Sequence, residues 1–158
     1  MSGFTVLKRT HDTLRGLLDE HLHATVLGDL EGAREAWHAF AALLRAHADA
    51  EDAILLPRFS ALDLASTGCS EGLLHAEHDK LRALLASGDR RVRREDTRLD
   101  APTRLAWIRD CHALSELLDH HDQRERVGLF PALEQALPAE EVEALAAAVH
   151  AREACVAD

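Results

Sequence analysis

Leu43-Leu44-Arg45-Ala46-His47-Ala48-Asp49-Ala50-Glu51-Asp52-Ala53-Ile54-Leu55-Leu56-Pro57 and, 74 residues further on, Leu117-Leu118-Asp119-His120-His121-Asp122-Gln123-Arg124-Glu125-Arg126-Val127-Gly128-Leu129-Phe130-Pro131 are two copies of one pattern. Each carries a leucine pair, a histidine three residues past it, a glutamate one helical turn later, and a closing proline. Residues four apart on an α-helix stack on the same face, so each copy presents an imidazole and a carboxylate together beside a leucine stripe. A second repeat, offset by 67 residues, supplies two more histidines: Thr10-His11-Asp12-Thr13-Leu14-Arg15-Gly16-Leu17-Leu18 and Glu77-His78-Asp79-Lys80-Leu81-Arg82-Ala83-Leu84-Leu85. The chain order is thus His, His-x3-Glu, His, His-x3-Glu. It reads as a duplicated helical hairpin that converges four imidazoles and two carboxylates on one point.

Apolar periodicity places helices at about 5–26, 30–55, 71–87, 101–129 and 138–154. Asp29 and Ser70 stand where N-caps belong, and Pro102 suits the first turn of the fourth helix. Pro57, Gly88 and Pro131 are expected to end their helices. Long helices joined by short turns pack antiparallel. The expected fold is therefore all-α: an up-down-up-down four-helix bundle with an additional C-terminal helix, read as a lid or flank outside the repeat. By length, 1–158 is one domain, with the core bundle at about 5–133. Trp37, Phe40 and Trp107 are expected in the bundle core, and the stretch 90–98 is expected to be a solvated arginine-rich loop.

Helical phase separates the repeated histidines from the other seven. His11 shares a face with Leu7, Leu14 and Leu18, His78 with Leu74 and Leu81, and His121 with Leu114, Leu117 and Leu118. His112 also has a glutamate four residues on, Glu116. At about 100° per residue, however, it lies opposite His121 and faces outward. Four core-facing imidazoles and two core-facing carboxylates are costly to bury without a cation, and no lysine or arginine shares those faces. A metal resolves the conflict. Imidazole and carboxylate without thiolate suit iron, manganese or zinc, and six ligands exceed one tetrahedral zinc. The expected ligands are His11, His47, Glu51, His78, His121 and Glu125, with Glu51 and Glu125 bridging two ions. An oxide or hydroxide bridge would offset more of the charge. His75 is expected near the centre as a fifth imidazole ligand or as a donor beside it.

The formal charge of −10 argues against nucleic acid or an anionic membrane surface as partner. Three cysteines, widely spaced, do not make a disulfide framework and suit a reducing cytoplasm. No apolar run approaches the ~20 residues of a membrane span, and the start of the chain has no signal-peptide core.

Taken in order, His11, His47-x3-Glu51-x5-Pro57, His78 and His121-x3-Glu125-x5-Pro131 resemble the hemerythrin-like, HHE cation-binding domain family over about residues 5–133. The resemblance implies a four-helix bundle holding a carboxylate-bridged non-heme di-iron centre that meets dioxygen or hydrogen peroxide. His75-Ala76-Glu77-His78 is similar to hemerythrin-like proteins of peroxide and redox defence. The chain departs from the oxygen carriers in having Glu125, separated from His121 by three residues, as its fourth-helix acid. It also has no tyrosine to serve as a phenolate ligand. Three functions follow as expectations: dioxygen or peroxide chemistry at two irons (binding, sensing or catalase-like), oxidation of a small organic substrate, and an iron-sensing or cation-binding module. The protein is expected to be a monomer or homodimer.

Overall fold

Asp29, Ser70 and Asp100 each start a helix by accepting a backbone N–H three residues on, from Gly32 (3.0 Å), Leu73 (3.3 Å) and Thr103 (2.9 Å). Such a cap contributes about 1 kcal/mol over alanine. The computed structural model of the chain describes residues 3–64, 68–94 and 98–155. These residues form α1 (Thr5–Leu27), α2 (Leu30–Ala61), α3 (Glu71–Val92), α4 (Ala101–Arg124), a π-helical turn (Glu125–Leu129), α5 (Phe130–Ala136) and α6 (Ala139–Ala154). Neighbouring contacts run α1 to α2, α2 to α3, α3 to α4 and α4 back to α1, closing a four-helix bundle. α6 packs across α1 and α2. No helix among the described residues is long and apolar enough to cross a membrane.

Three of the expected helix ends lie elsewhere. α2 continues past Pro57 to Ala61. Proline gives up only the bond to the Ala53 carbonyl, and burial of Leu55, Leu56 and Phe59 around it holds the last turn. α3 continues past Gly88 to Val92, because Gly88 is a packing site rather than a terminator: its missing side chain leaves room for the Trp37 ring. The fourth rod does not stop at Pro131. Its turn widens at Glu125, where the Phe130 N–H reaches the Glu125 carbonyl five residues back, and this relieves the crowding that a proline ring imposes on an α-turn. Gly128 lies in the widened turn, where a Cβ would come within 2.8 Å of Cys69.

Two apolar layers fill the interior. One holds Phe4, Leu7, Leu55, Phe59, Leu74, Leu129 and Phe130 together with Val142, Ala146 and Val149 of α6. The other holds Leu14, Leu18, Trp37, Phe40, Leu44, Leu81, Trp107, Leu114 and Leu118. Each of α1, α2 and α3 passes from one layer to the other across a polar stretch, and the fourth rod does so between Leu118 of α4 and Leu129 of the π-helical turn. Those four stretches carry His11, His47 and Glu51, His78, and His121 and Glu125. The stretch 90–98 is not simply a solvated loop. Arg90 and Arg91 belong to α3, and the Arg91 guanidinium lies 5.2 Å from the Trp37 ring and 5.1 Å from that of Trp107, inside the second layer. Residues 95–97 fall outside the described set.

Candidate metal centre

Between the two layers, His11 and His47 meet through their Nε2 atoms at 2.8 Å, and His78 and His121 meet through theirs at 3.1 Å. Two carboxylates lie between the pairs. Glu51 directs Oε1 at His47 (3.4 Å) and Oε2 at His78 (3.5 Å); Glu125 directs Oε2 at His11 (3.1 Å) and Oε1 at His121 (3.0 Å). Each glutamate therefore offers one oxygen to each histidine pair. Two groupings of a size to hold an ion result, His11, His47, Glu51, Glu125 and Glu51, His78, His121, Glu125, sharing both acids. The two glutamates are wholly buried, and none of their four oxygens has a hydrogen-bond partner.

The outer nitrogens show what the inner ones are for. His11 Nδ1 donates to Asp122 (2.6 Å), His47 Nδ1 to Glu153 (2.6 Å), His78 Nδ1 to Asp52 (2.6 Å) and His121 Nδ1 to Glu77 (3.0 Å). Arginines back three of these acids: Arg15 and Arg126 on Asp122, Arg82 on Asp52, and Arg124 on Glu77. A carboxylate so held is ionised and can only accept, so each Nδ1 keeps its proton and each Nε2 turns a lone pair inward. Two lone pairs at 2.8 Å, beside carboxylate oxygens without donors, require a positive charge between them. The donor set fits a metal ion at each grouping.

Without a metal, protons must fill that role. Burial alone would lower His11, but its bond to Asp122 and the charge of Glu125 more than reverse this and raise it to about 9. His78 is raised to about 9 against the same burial by Asp52 and Glu51, and His121 is raised well above its ordinary value mainly by Glu125. Burial opposes ionisation of Glu125, yet His121 and His11 hold it well below the usual carboxylate range. The sign follows. A raised histidine stabilises the metal-free fold fully below its unfolded value of about 6.5, and loses that contribution as pH climbs through about 9. A metal must displace the same protons, so its affinity rises over this window by up to about tenfold per pH unit per proton released. The expected result is a gap between the melting temperatures of metal-loaded and metal-free protein that widens from pH 6.5 to pH 9. A gap constant with pH would contradict it.

Six of the seven residues singled out from the sequence meet here. His75 does not. Its side chain is 42% exposed, and its Nδ1 lies 2.9 Å from Asp52 Oδ1, the oxygen that also accepts from His78. The one-turn offset from His78 carries it to the rim, where it touches the supporting acid rather than the groupings. His112 and His120 are exposed, as phase requires. His21 is a core residue, donating to the Ala33 carbonyl at 2.7 Å and packed beside Trp37 and Trp107, and burial lowers its pKa. The sequence reading did not single out the four supporting acids. A sequence signal existed for three: Asp52, Glu77 and Asp122 immediately neighbour Glu51, His78 and His121, one helical step to the side.

Fold and site together define a helical bundle built around two buried His/Glu clusters positioned to coordinate a metal pair. The model of the hemerythrin HHE cation-binding domain matches residues 2–133, most of the chain, and the protein belongs to that family. No curated protein and no solved structure matches the chain.

Proposed function

We propose that the protein holds two iron ions and uses them to bind or react with dioxygen or hydrogen peroxide. His11 and His47 serve one ion, His78 and His121 the other, and Glu51 and Glu125 each give one oxygen to each. The observation that carries this reading is the shared pair of buried glutamates, whose four oxygens have no partner and face four different histidines. Two imidazoles and two carboxylate oxygens would hold each ion. Bound iron supplies the redox chemistry. The protein's own residues do the rest. Asp122, Glu153, Asp52 and Glu77 fix the imidazole rings and keep Nδ1 protonated, while Phe130, Leu7 and Leu14 exclude bulk water.

A small reactant suits this interior better than an organic substrate. A pocket of about 420 Å³, lined by Val6, Thr10, Leu43, His150 and Glu153, reaches the acid behind His47 and has none of the six inner residues in its lining. A cytoplasmic setting is supported by the three free thiols Cys69, Cys111 and Cys155.

Anaerobic reconstitution with ferrous iron should load two irons per chain. Admission of air or peroxide should then raise a near-ultraviolet charge-transfer band. Loading of one ion or none, or an unchanged spectrum, would overturn the reading. Retention of zinc or manganese in place of iron by the protein as isolated would replace the metal and not the site. Oxygen evolution from peroxide that disappears in His47→Ala would select disproportionation over simple binding.

A further inference from the structure

The internal repeat is broken around the centre. The 74-residue offset sets Arg126 against Asp52 and Ala48 against Asp122, so each bundle half carries one of these acids at a shifted place, and at a further position one acid is missing outright. The offset that pairs His11 with His78 also pairs Thr10 with Glu77. Glu77, on α3, accepts from His121 Nδ1 and is anchored by Arg124. Thr10 occupies the same position on α1, but it is neutral and too short to reach an imidazole. Its hydroxyl instead donates at 2.9 Å to Oε2 of Glu153, whose Oε1 accepts from His47 Nδ1 at 2.6 Å. Glu153 is 3% exposed, as deeply set as Glu77. A carboxylate missing from the repeat has been supplied from α6, a helix outside it.

From this we infer that Glu153 is the positioning residue of His47, and that the C-terminal helix completes only one half of the centre. The inference rests on the reading that the six inner residues hold two metals. The two halves differ in how they are held. Asp122, Asp52 and Glu77 stand on bundle helices and are each gripped by arginine. Glu153 is held by Thr10 and by His150 at 3.1 Å, and otherwise by the docking of α6 itself. That docking is made by Val142, Ala146 and Val149 in the first apolar layer, with Arg58 pairing Glu141 at 2.7 Å. The His78–His121 position is therefore complete without α6, whereas the His11–His47 position depends on it.

The test uses the full chain, with zinc(II) as a probe that has no redox chemistry. Wild type should take up two ions. Glu153→Ala should leave one ion bound as before and weaken the other about 10–100-fold. Thr10→Glu in the Glu153→Ala background places an acid where Glu77 stands in the other half, and should restore the second ion. In zinc-loaded protein with labelled histidine, Glu153→Gln should move the His47 imidazole N–H resonance and leave those of His11, His78 and His121 in place. If wild type fails to bind two ions, the underlying reading fails. If wild type binds two and Glu153→Ala still binds both unchanged, this inference fails alone. A loss that Thr10→Glu does not repair, with the His47 resonance unmoved in Glu153→Gln, would show that α6 acts through packing only and would overturn it.

Discussion

Glu51→Ala and Glu125→Ala should each abolish binding of a metal pair, lowering affinity for the second ion by at least about 100-fold, while the chain still folds. Each acid serves both groupings, so neither loss can be confined to one ion. The expected effect on the metal-free protein distinguishes a functional site from a structural one. Both carboxylates are wholly buried with no hydrogen-bond partner. Groups of that kind cost stability and are kept for what they do. The Glu51→Gln variant, which preserves shape but removes the charge, should therefore melt no lower than wild type in the presence of chelator above about pH 9, where the histidines have shed the protons that Glu51 offsets. It should gain far less than wild type when metal is added. Calorimetric titration and thermal denaturation with and without chelator read both quantities. A variant that keeps two ions would refute the bridging assignment.

Gly88→Ala should destabilise the fold by about 2–3 kcal/mol, a fall in melting temperature of roughly 5–10 °C for a chain of this size, without changing metal stoichiometry. The added methyl would overlap the Trp37 ring, with Cε2 at 2.8 Å and Cζ2 and Cη2 closer still. Trp37 cannot retreat. It is 1% exposed, its Nε1 donates to Asp89 at 3.0 Å, and Arg91 and His21 pack on it. Alanine's better helix propensity returns at most about 1 kcal/mol. Combining Gly88→Ala with Trp37→Leu should cost less than the sum of the separate changes, because both act on one contact. Additive losses would mean that the glycine matters for backbone reasons instead.

Gly88 also shows where the sequence could and could not be read. Glycine near the end of a helical pattern has two meanings, a left-handed cap or a close approach, and only the tertiary partner decides between them. Gly28 is the first kind, with φ of +77°, and Gly88 is the second. Pro57 and Pro131 misled in the same way, since buried neighbours in one case and a widened turn in the other outweigh a local rule. The bundle itself and the six inner residues were readable because both depend on helical phase, which the repeat stated twice. His75, expected as a ligand or as a donor beside the centre, stands against the supporting Asp52, because one turn along a helix from His78 leads outward as easily as inward. Asp52, Glu77 and Asp122 went unread because they sit one residue off the stripe, on the flank that meets the next helix. Glu153 left no trace, since nothing in α6 repeats anything earlier.

The hydrogen bond from His11 to Asp122 joins residues 111 apart in sequence, and that from His47 to Glu153 joins residues 106 apart. Neither can form on a ribosome until α4 or α6 has been synthesised, so an N-terminal fragment that already contains His11, His47 and Glu51 lacks the acids that aim its imidazoles. On the proposed reading, an ion would find its imidazoles aimed only after α4 and α6 have docked, which sets metal uptake after bundle closure.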